Sequence, residues 1–176
     1  GQICSAMSRM IVHKSIKQEV LDKLSKLADS IKVGPGDEEG VVLTPVISEE
    51  QLQKIENYAR SGLQAGANVV SGGNRIDRKG YFFEPTIYSE VKPEMTIAQE
   101  EIFGPFLSIL DYEDHEEAVH IANDTEYGLA AGVFTRDVDM ATKTASLLNG
   151  GQVYVNSWFT GSIATPFGGY KQSGYS

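Results

Sequence analysis

Thiol chemistry is nearly missing from this chain: Cys4 is the only cysteine in 176 residues. One cysteine excludes an internal disulfide, and it points to a reducing, cytoplasmic setting. Basic side chains are also in short supply. Fifteen Lys and Arg against twenty-four Asp and Glu leave a net charge of −9. Such a chain repels phosphate backbones and anionic headgroups, which disfavours nucleic acid and membrane surfaces as partners. No apolar run approaches the ~18 residues a bilayer span needs, and no basic-then-apolar leader follows Gly1. Neither G-x-x-x-x-G-K-[ST] nor the strand-to-helix glycine fingerprint of dinucleotide domains occurs. No pair of side chains has metal-ligand spacing, so no zinc or other metal site is expected. The three histidines, His13, His115 and His120, are scattered. Nothing places one beside Cys4, so a Cys-His hydrolase finds no support.

What is present suffices for a folded domain. Hydrophobic residues make up 41% and aromatics 9%, and the length fits one domain of ordinary size. Met10-Ile11-Val12 reads as a short buried strand. Ser15, three residues before Gln18, has capping-box spacing. Val20, Leu21, Leu24, Leu27, Ala28 and Ile31 then recur at helical period up to Gly34-Pro35-Gly36. A loop runs to Ile47. Ser48, followed by Gln51, opens a second helix with Leu52, Ile55, Ala59 and Leu63 on its apolar face and Gly66 as its stop. Residues 68–70 form a short strand before Gly72-Gly73. Residues 81–91 read as extended, and Pro85 marks them as an edge or irregular segment. Residues 106–112 are a strand, 114–123 a helix, 129–135 a strand, 137–148 a helix capped by Asp137, and 153–155 a last strand. Strands separated by helices imply a three-layer α/β domain with a mostly parallel sheet covered by helices.

Three stretches stand out. Around Cys4, GQICSA surrounds a potential nucleophile with small residues that admit a substrate, although most lone cysteines are packing residues. In AQEEIFGPF, Glu100 and Glu101 precede an aromatic and a fixed turn. A loop carboxylate can accept two ribose hydroxyls, but a solvated pair before a buried phenylalanine would look the same. In the tail, NSWFTGSIATPFGGYKQSGYS is aromatic and glycine-rich, too poor in aliphatics for a packed helix and too long for an idle loop. Gly168-Gly169 beside Lys171 suggests a phosphate cradle only superficially.

Taken together and in this order, GQICSA, EEIFGPF and VNSW…PFGGYKQSG resemble the NAD(P)-dependent aldehyde dehydrogenase superfamily over essentially the whole chain. The resemblance implies that residues 1–176 are the catalytic domain, with the cofactor-binding domain and oligomerisation tail lying elsewhere. It implies that Cys4 attacks the aldehyde and its backbone N–H forms half of an oxyanion hole. Glu101 would hold the nicotinamide ribose and Phe103 would pack beside that end of NAD or NADP. Asn156 would end the strand entering the substrate loop, and Trp158, Phe159 and Phe167 would line the aldehyde tunnel. The parent is expected to be a homo-dimer or homo-tetramer. The family's general base, second oxyanion donor and cofactor loop lie upstream of the cysteine motif, so this chain alone is expected to be essentially inactive. Two alternatives are a CoA-acylating semialdehyde dehydrogenase of the same superfamily and a non-catalytic scaffold that kept the fold.

Overall fold

A computed structural model describes residues 1–175. The chain divides into two compact units, Gly1–Glu113 and Asp114 onward. The first holds β1 (Arg9–His13), α1 (Lys17–Ser30), α2 (Glu49–Gln64), β2 (Asn68–Ser71), β3 (Thr86–Ser89), the short α3 (Thr96–Gln99) and β4 (Phe106–Tyr112). Its sheet has the order β1-β4-β3-β2. The β1–β4 and β3–β4 pairs are parallel, and β2 is antiparallel on β3.

Every residue of β3 is buried, so both of its faces are covered. Successive side chains of a strand point to opposite faces. Ile87 joins Val12, Ile109, Leu21 and Ala28 in a cluster beneath α1. Tyr88 faces the other way, where its ring stacks on Phe106 at 4.8 Å and its hydroxyl donates to the Ala59 carbonyl of α2 at 3.0 Å. On that same side Ser108 Oγ donates to the Ile97 carbonyl of α3 at 2.8 Å. Helix, sheet and helix are therefore the three layers, and the sheet is mostly parallel. Each fully buried large apolar side chain here contributes roughly 1.5–3 kcal/mol.

Four local expectations change. Pro85 does not mark an edge: β3 starts one residue later and lies between β2 and β4. The proline sits just outside the ladder, where its missing N–H costs nothing, and Thr86 N donates to the Pro105 carbonyl at 2.8 Å. The Ser15 capping box does not form. A 3₁₀ turn over Lys14–Ile16 intervenes, Ser15 Oγ pairs with His13 Nδ1 at 2.7 Å, and Gln18 turns to Asp22. The first helix ends at Ser30, before Gly34, because Gly34 N is drawn to the Leu43 carbonyl beside the Val33–Leu43 bridge. Leu27 and Leu63 are exposed instead of joining the apolar faces.

The second unit holds α4 (His115–Asn123), β5 (Tyr127–Gly128), β6 (Ala130–Val133), α5 (Val138–Leu147), β7 (Gln152–Val155) and β8 (Tyr170–Lys171). Asp114 and Asp137 cap the two helices, accepting from Glu117 N and Met140 N at 2.9 Å. β6 and β7 pair in parallel, and β5 pairs antiparallel with β8. The glycines of the tail serve close approach. A Cβ on Gly151 would lie 1.8 Å from the Gly168 carbonyl oxygen, so the two backbones touch only because no side chain intervenes. Lys171 Nζ donates to the carbonyls of Asn123 and Thr125 at 2.7 and 2.9 Å, which makes it a loop clasp.

Candidate active site

In the first unit, Ala6 N donates to the Ile3 carbonyl at 2.8 Å and closes a turn with Cys4 and Ser5 at its centre. Ser5 is buried, while Cys4 is exposed. The Cys4 backbone N–H donates to no group among the described residues. Cys4 stands five residues before β1, and Glu101 five residues before β4. Because those strands are parallel neighbours, both residues lie at the same end of the sheet. The two segments meet through glycine, since a Cβ on Gly1 would fall 1.8 Å from the Gly104 carbonyl oxygen.

The Glu100–Phe103 loop is held by one face of α2. Gln51 Nε2 donates to the Ile102 carbonyl at 2.8 Å and the Phe103 carbonyl at 3.0 Å. Lys54 Nζ donates to the Glu101 carbonyl at 3.1 Å, and Tyr58 Oη donates to Glu100 Oε2 at 2.7 Å. Gln51, Lys54 and Tyr58 share a face by helical spacing. Gln51, three residues after Ser48 as a capping box requires, does not close one. Ser48 still caps α2 through Gln51 N at 3.1 Å, but the glutamine amide reaches the loop instead. Sequence reasoning had no local signal for this, because the bonds span about fifty residues. Glu101 is exposed, and its carboxylate accepts no hydrogen bond among the described residues. An acceptor-only group left open suits a ligand that brings hydroxyl donors.

In the second unit, Asn156 follows β7 directly. Its Oδ1 accepts from Thr135 N and its Nδ2 donates to the Thr135 carbonyl, both at 2.9 Å. The amide thus pins the end of β6 to the end of β7. Trp158 is half-buried; its ring lies 5.9 Å from Tyr154, and it roofs Gly132, where a Cβ would sit 3.0 Å from the indole. Phe159 and Phe167 are exposed.

Backbone strain singles out the same segments. Among the described residues, five non-glycines have φ near +50°: Glu90, Phe103, Asn156, Phe159 and Lys171. Four of them fall in the stretches EEIFGPF, NSWF and GGYK. Such conformations cost of order 1 kcal/mol or more and persist where the surroundings over-determine them, as functional loops do.

Several charged and titratable side chains outside these loops serve structure. Lys17 Nζ contacts Asp111 Oδ2 and Glu90 Oε1, each at 2.5 Å, with Lys17 and Asp111 largely buried. Burial alone would raise the Asp111 carboxyl and lower the Lys17 ammonium. Their mutual hydrogen bond and charge outweigh it, with Glu90 helping on the lysine side, so Asp111 lies below its usual range and Lys17 above. His13 Nε2 pairs with the Glu113 carbonyl at 3.0 Å, at the far end of β1 from Cys4. His115 Nε2 pairs with Thr144 Oγ1 at 2.8 Å. Among the described residues, no group of three His, Cys, Asp or Glu could hold a metal ion, and no helix is long and apolar enough to cross a membrane.

Comparison with known proteins places these loops in context. The family model described as "Aldehyde dehydrogenase family" matches residues 1–176. A mitochondrial aldehyde dehydrogenase of Leishmania tarentolae is 47% identical over 174 residues, covering 99% of this chain and 35% of the relative. A chloroplastic betaine aldehyde dehydrogenase of Beta vulgaris is 44% identical over 177 residues, again covering 99% of this chain and 35% of the relative. The NAD+ complex of a Bacillus cereus aldehyde dehydrogenase superposes with a TM-score of 0.96 at 42% identity, covering 99% of this chain and 35% of that structure. The apo form of a mutant Staphylococcus aureus betaine aldehyde dehydrogenase, solved with a BME-modified cysteine, superposes at 0.95 with 41% identity, covering 98% of this chain and 35% of that structure. The chain thus spans about a third of the length of the relatives it matches.

Proposed function

This chain belongs to the aldehyde dehydrogenase family, and we propose that residues 1–176 form the catalytic, nucleophile-bearing domain of an NAD-dependent enzyme that oxidises an aldehyde to a carboxylic acid. The observation that carries the reading is the arrangement in the first unit. An exposed thiol in a tight turn and an exposed, unengaged carboxylate precede two parallel neighbouring strands, and their loops touch at Gly1 and Gly104.

In this reading the Cys4 thiolate attacks the aldehyde carbon, and the carbonyl oxygen gains the negative charge. The Cys4 backbone N–H, unused within the chain, donates to that oxygen. A preorganised donor of this kind is worth about 10²–10³-fold in rate. The adduct is a thiohemiacetal. NAD, when bound, supplies the hydride acceptor that makes oxidation of this adduct to a thioester possible. Water then cleaves the thioester, releasing the acid and restoring the thiol. Glu101 would take the ribose hydroxyls of the nucleotide, and Phe103 would pack beside its nicotinamide end. NAD is favoured because the Bacillus cereus neighbour was solved with NAD+. The BME-modified cysteine of the Staphylococcus aureus neighbour supports a reactive thiol.

For the aldehyde, Trp158, Phe159 and Phe167 supply aromatic walls that suit an aromatic or cationic substrate. Relatives named for betaine aldehyde, aminoaldehyde and benzaldehyde fit both classes. Asn156 supports this loop by pinning the strand that enters it. The enzyme is read as cytoplasmic from its single thiol, and as a homo-oligomer from the exposed Phe134, Val138 and Val155. The test is a panel of aldehydes with NAD and NADP on the full-length reading frame that carries this chain. Aldehyde-dependent NADH formation, lost in Cys4→Ala, is expected. NADH formation that survives Cys4→Ala would overturn the assignment.

A further inference from the structure

Two adjacent glutamates precede Ile102, and the reading above uses only one of them. The geometry points to a division of labour: we propose that Tyr58 is a positioning residue that acts through Glu100 to present Glu101 to the nucleotide. The proposal rests on Glu101 being the ribose-binding carboxylate.

The backbone at Glu100 is extended, with φ −102° and ψ 155°. In extended backbone, consecutive side chains leave on opposite sides. A bond that holds Glu100 against α2 therefore favours the backbone setting in which the next side chain leaves on the other side. Tyr58, on the third turn of α2, donates to Glu100 Oε2 at 2.7 Å. With Glu100 bonded to α2, the alternation sends Glu101 to the other side, in keeping with its exposure and with a carboxylate that accepts no hydrogen bond among the described residues. The neighbouring contacts cannot do this alone. Lys54 and Gln51 reach main-chain carbonyls of Glu101, Ile102 and Phe103, which sets the height of the loop above the helix. Among the described residues, only the tyrosine hydroxyl bonds a carboxylate of the pair. α2 itself is rigid where Tyr58 sits, because Ile55 and Ala59 beside it are buried. Without the tyrosine hydroxyl, either glutamate could turn outward, and the open carboxylate would be held less tightly where the ribose must find it.

The experiment measures NAD binding by equilibrium titration on the full-length protein, with the KM for aldehyde and the melting temperature recorded alongside. Tyr58→Phe is expected to raise the NAD dissociation constant by about 3- to 10-fold, the size of one net hydrogen bond. The KM for aldehyde should hold. Glu100→Ala, a change at an exposed position, should match it. Glu100→Gln keeps an acceptor for the tyrosine and should stay near wild type. The double variant Tyr58→Phe with Glu100→Ala should bind no worse than either single one, since both remove the same bond. If Tyr58→Phe lowers the melting temperature, the pair Glu100→Ala and Glu100→Gln decides alone. Unchanged NAD binding in Tyr58→Phe or Glu100→Ala, while Glu101→Gln weakens it, overturns the positioning role and leaves the ribose assignment standing. Weakening of NAD and aldehyde alike would mark a general structural role and also overturns it. No effect of Glu101→Gln on NAD binding overturns the assignment of Glu101 itself.

Discussion

The two units of this chain are built to different standards. Among the described residues, nineteen of the twenty-two buried hydrophobic side chains belong to Gly1–Glu113, and only Ile121, Ala141 and Tyr154 belong to the second unit. The first unit has a strand buried on both faces. In the second, β6 is nowhere fully buried, and Phe134, Val138, Phe159 and Ile163 are exposed. The first unit therefore sets its loops on a packed core, with Gln51, Lys54 and Tyr58 adding hydrogen bonds from a buried helix, whereas the second has little core and relies on hydrogen bonds, with Asn156 across two strand ends and Lys171 on two carbonyls. In the proposed reading the first unit carries a nucleophile, which needs fixed geometry, and the second a substrate wall, which a softer frame suits.

The sharpest way to break this comparison is chemical. Cys4→Ala in the full-length protein should lower aldehyde oxidation by about 10³-fold or more, whereas Phe167→Ala in the second unit should alter KM and substrate preference with kcat largely retained. Steady-state kinetics on both variants checks this, and the reverse pattern would move the chemistry to the second unit. Next comes packing. Ile55→Ala, at a fully buried site against Gly104, should cost about 3 kcal/mol of unfolding free energy, and Ile121→Ala clearly less within the usual 2–5 kcal/mol spread for such truncations. Denaturant titration compares them, and native-state hydrogen exchange should find β4 amides slower than those of β6.

These two tests also show what could be read from the sequence. The strands around Val12 and Ile109 and the helix around Leu52 and Ile55 were legible because hydrophobic periodicity records burial directly. The central place of β3 was not, since Pro85 next to a strand looks the same whether it begins an edge or a core strand. Cys4 and the Glu100–Glu101 pair stood out by residue type alone, but only the resemblance of their motifs favoured a role over a packing thiol and a solvated pair. Gln51 and Tyr58 escaped altogether, because a side chain that bonds a loop some forty to fifty residues away leaves no spacing to find. Asn156 was placed correctly at a strand end, while its grip on Thr135 depends on the parallel pairing of β6 and β7.

A third test sharpens the contrast through pH. Lys17→Met leaves Asp111 and Glu90 without their cation and should cost about 2 kcal/mol. Asp111 titrates below its unfolded value, so its contribution is complete above about pH 4 and is lost as the pH falls through the folded pKa. Lys17 titrates above its unfolded value, so its contribution is complete below about pH 10 and is lost as the pH rises through the folded pKa. Urea midpoints across pH should show both slopes in the wild type and flatten in the variant. Unchanged slopes would remove this ion pair from the account of the first unit. The smallest effect belongs to the second unit. Asn156→Asp keeps the acceptor for Thr135 N and loses the donor to the Thr135 carbonyl, at about 1 kcal/mol. Faster exchange at the β6–β7 ends is the expected signature, and β4 should stay unchanged.

Equal setbacks ahead of β1 and β4 give the ladder between them a metrological role. The Arg9–Ser108 to His13–Tyr112 register works as a vernier: sliding one strand by a single step would carry the sulfur about 3.3 Å along the other and flip its neighbours to the wrong face. In the proposed reading, the spacing of thiol and ribose-binding carboxylate would then reside in amide pairs that never meet a ligand, and a lesion deep in the sheet, such as a proline at Ile11, would detune that distance without altering either group.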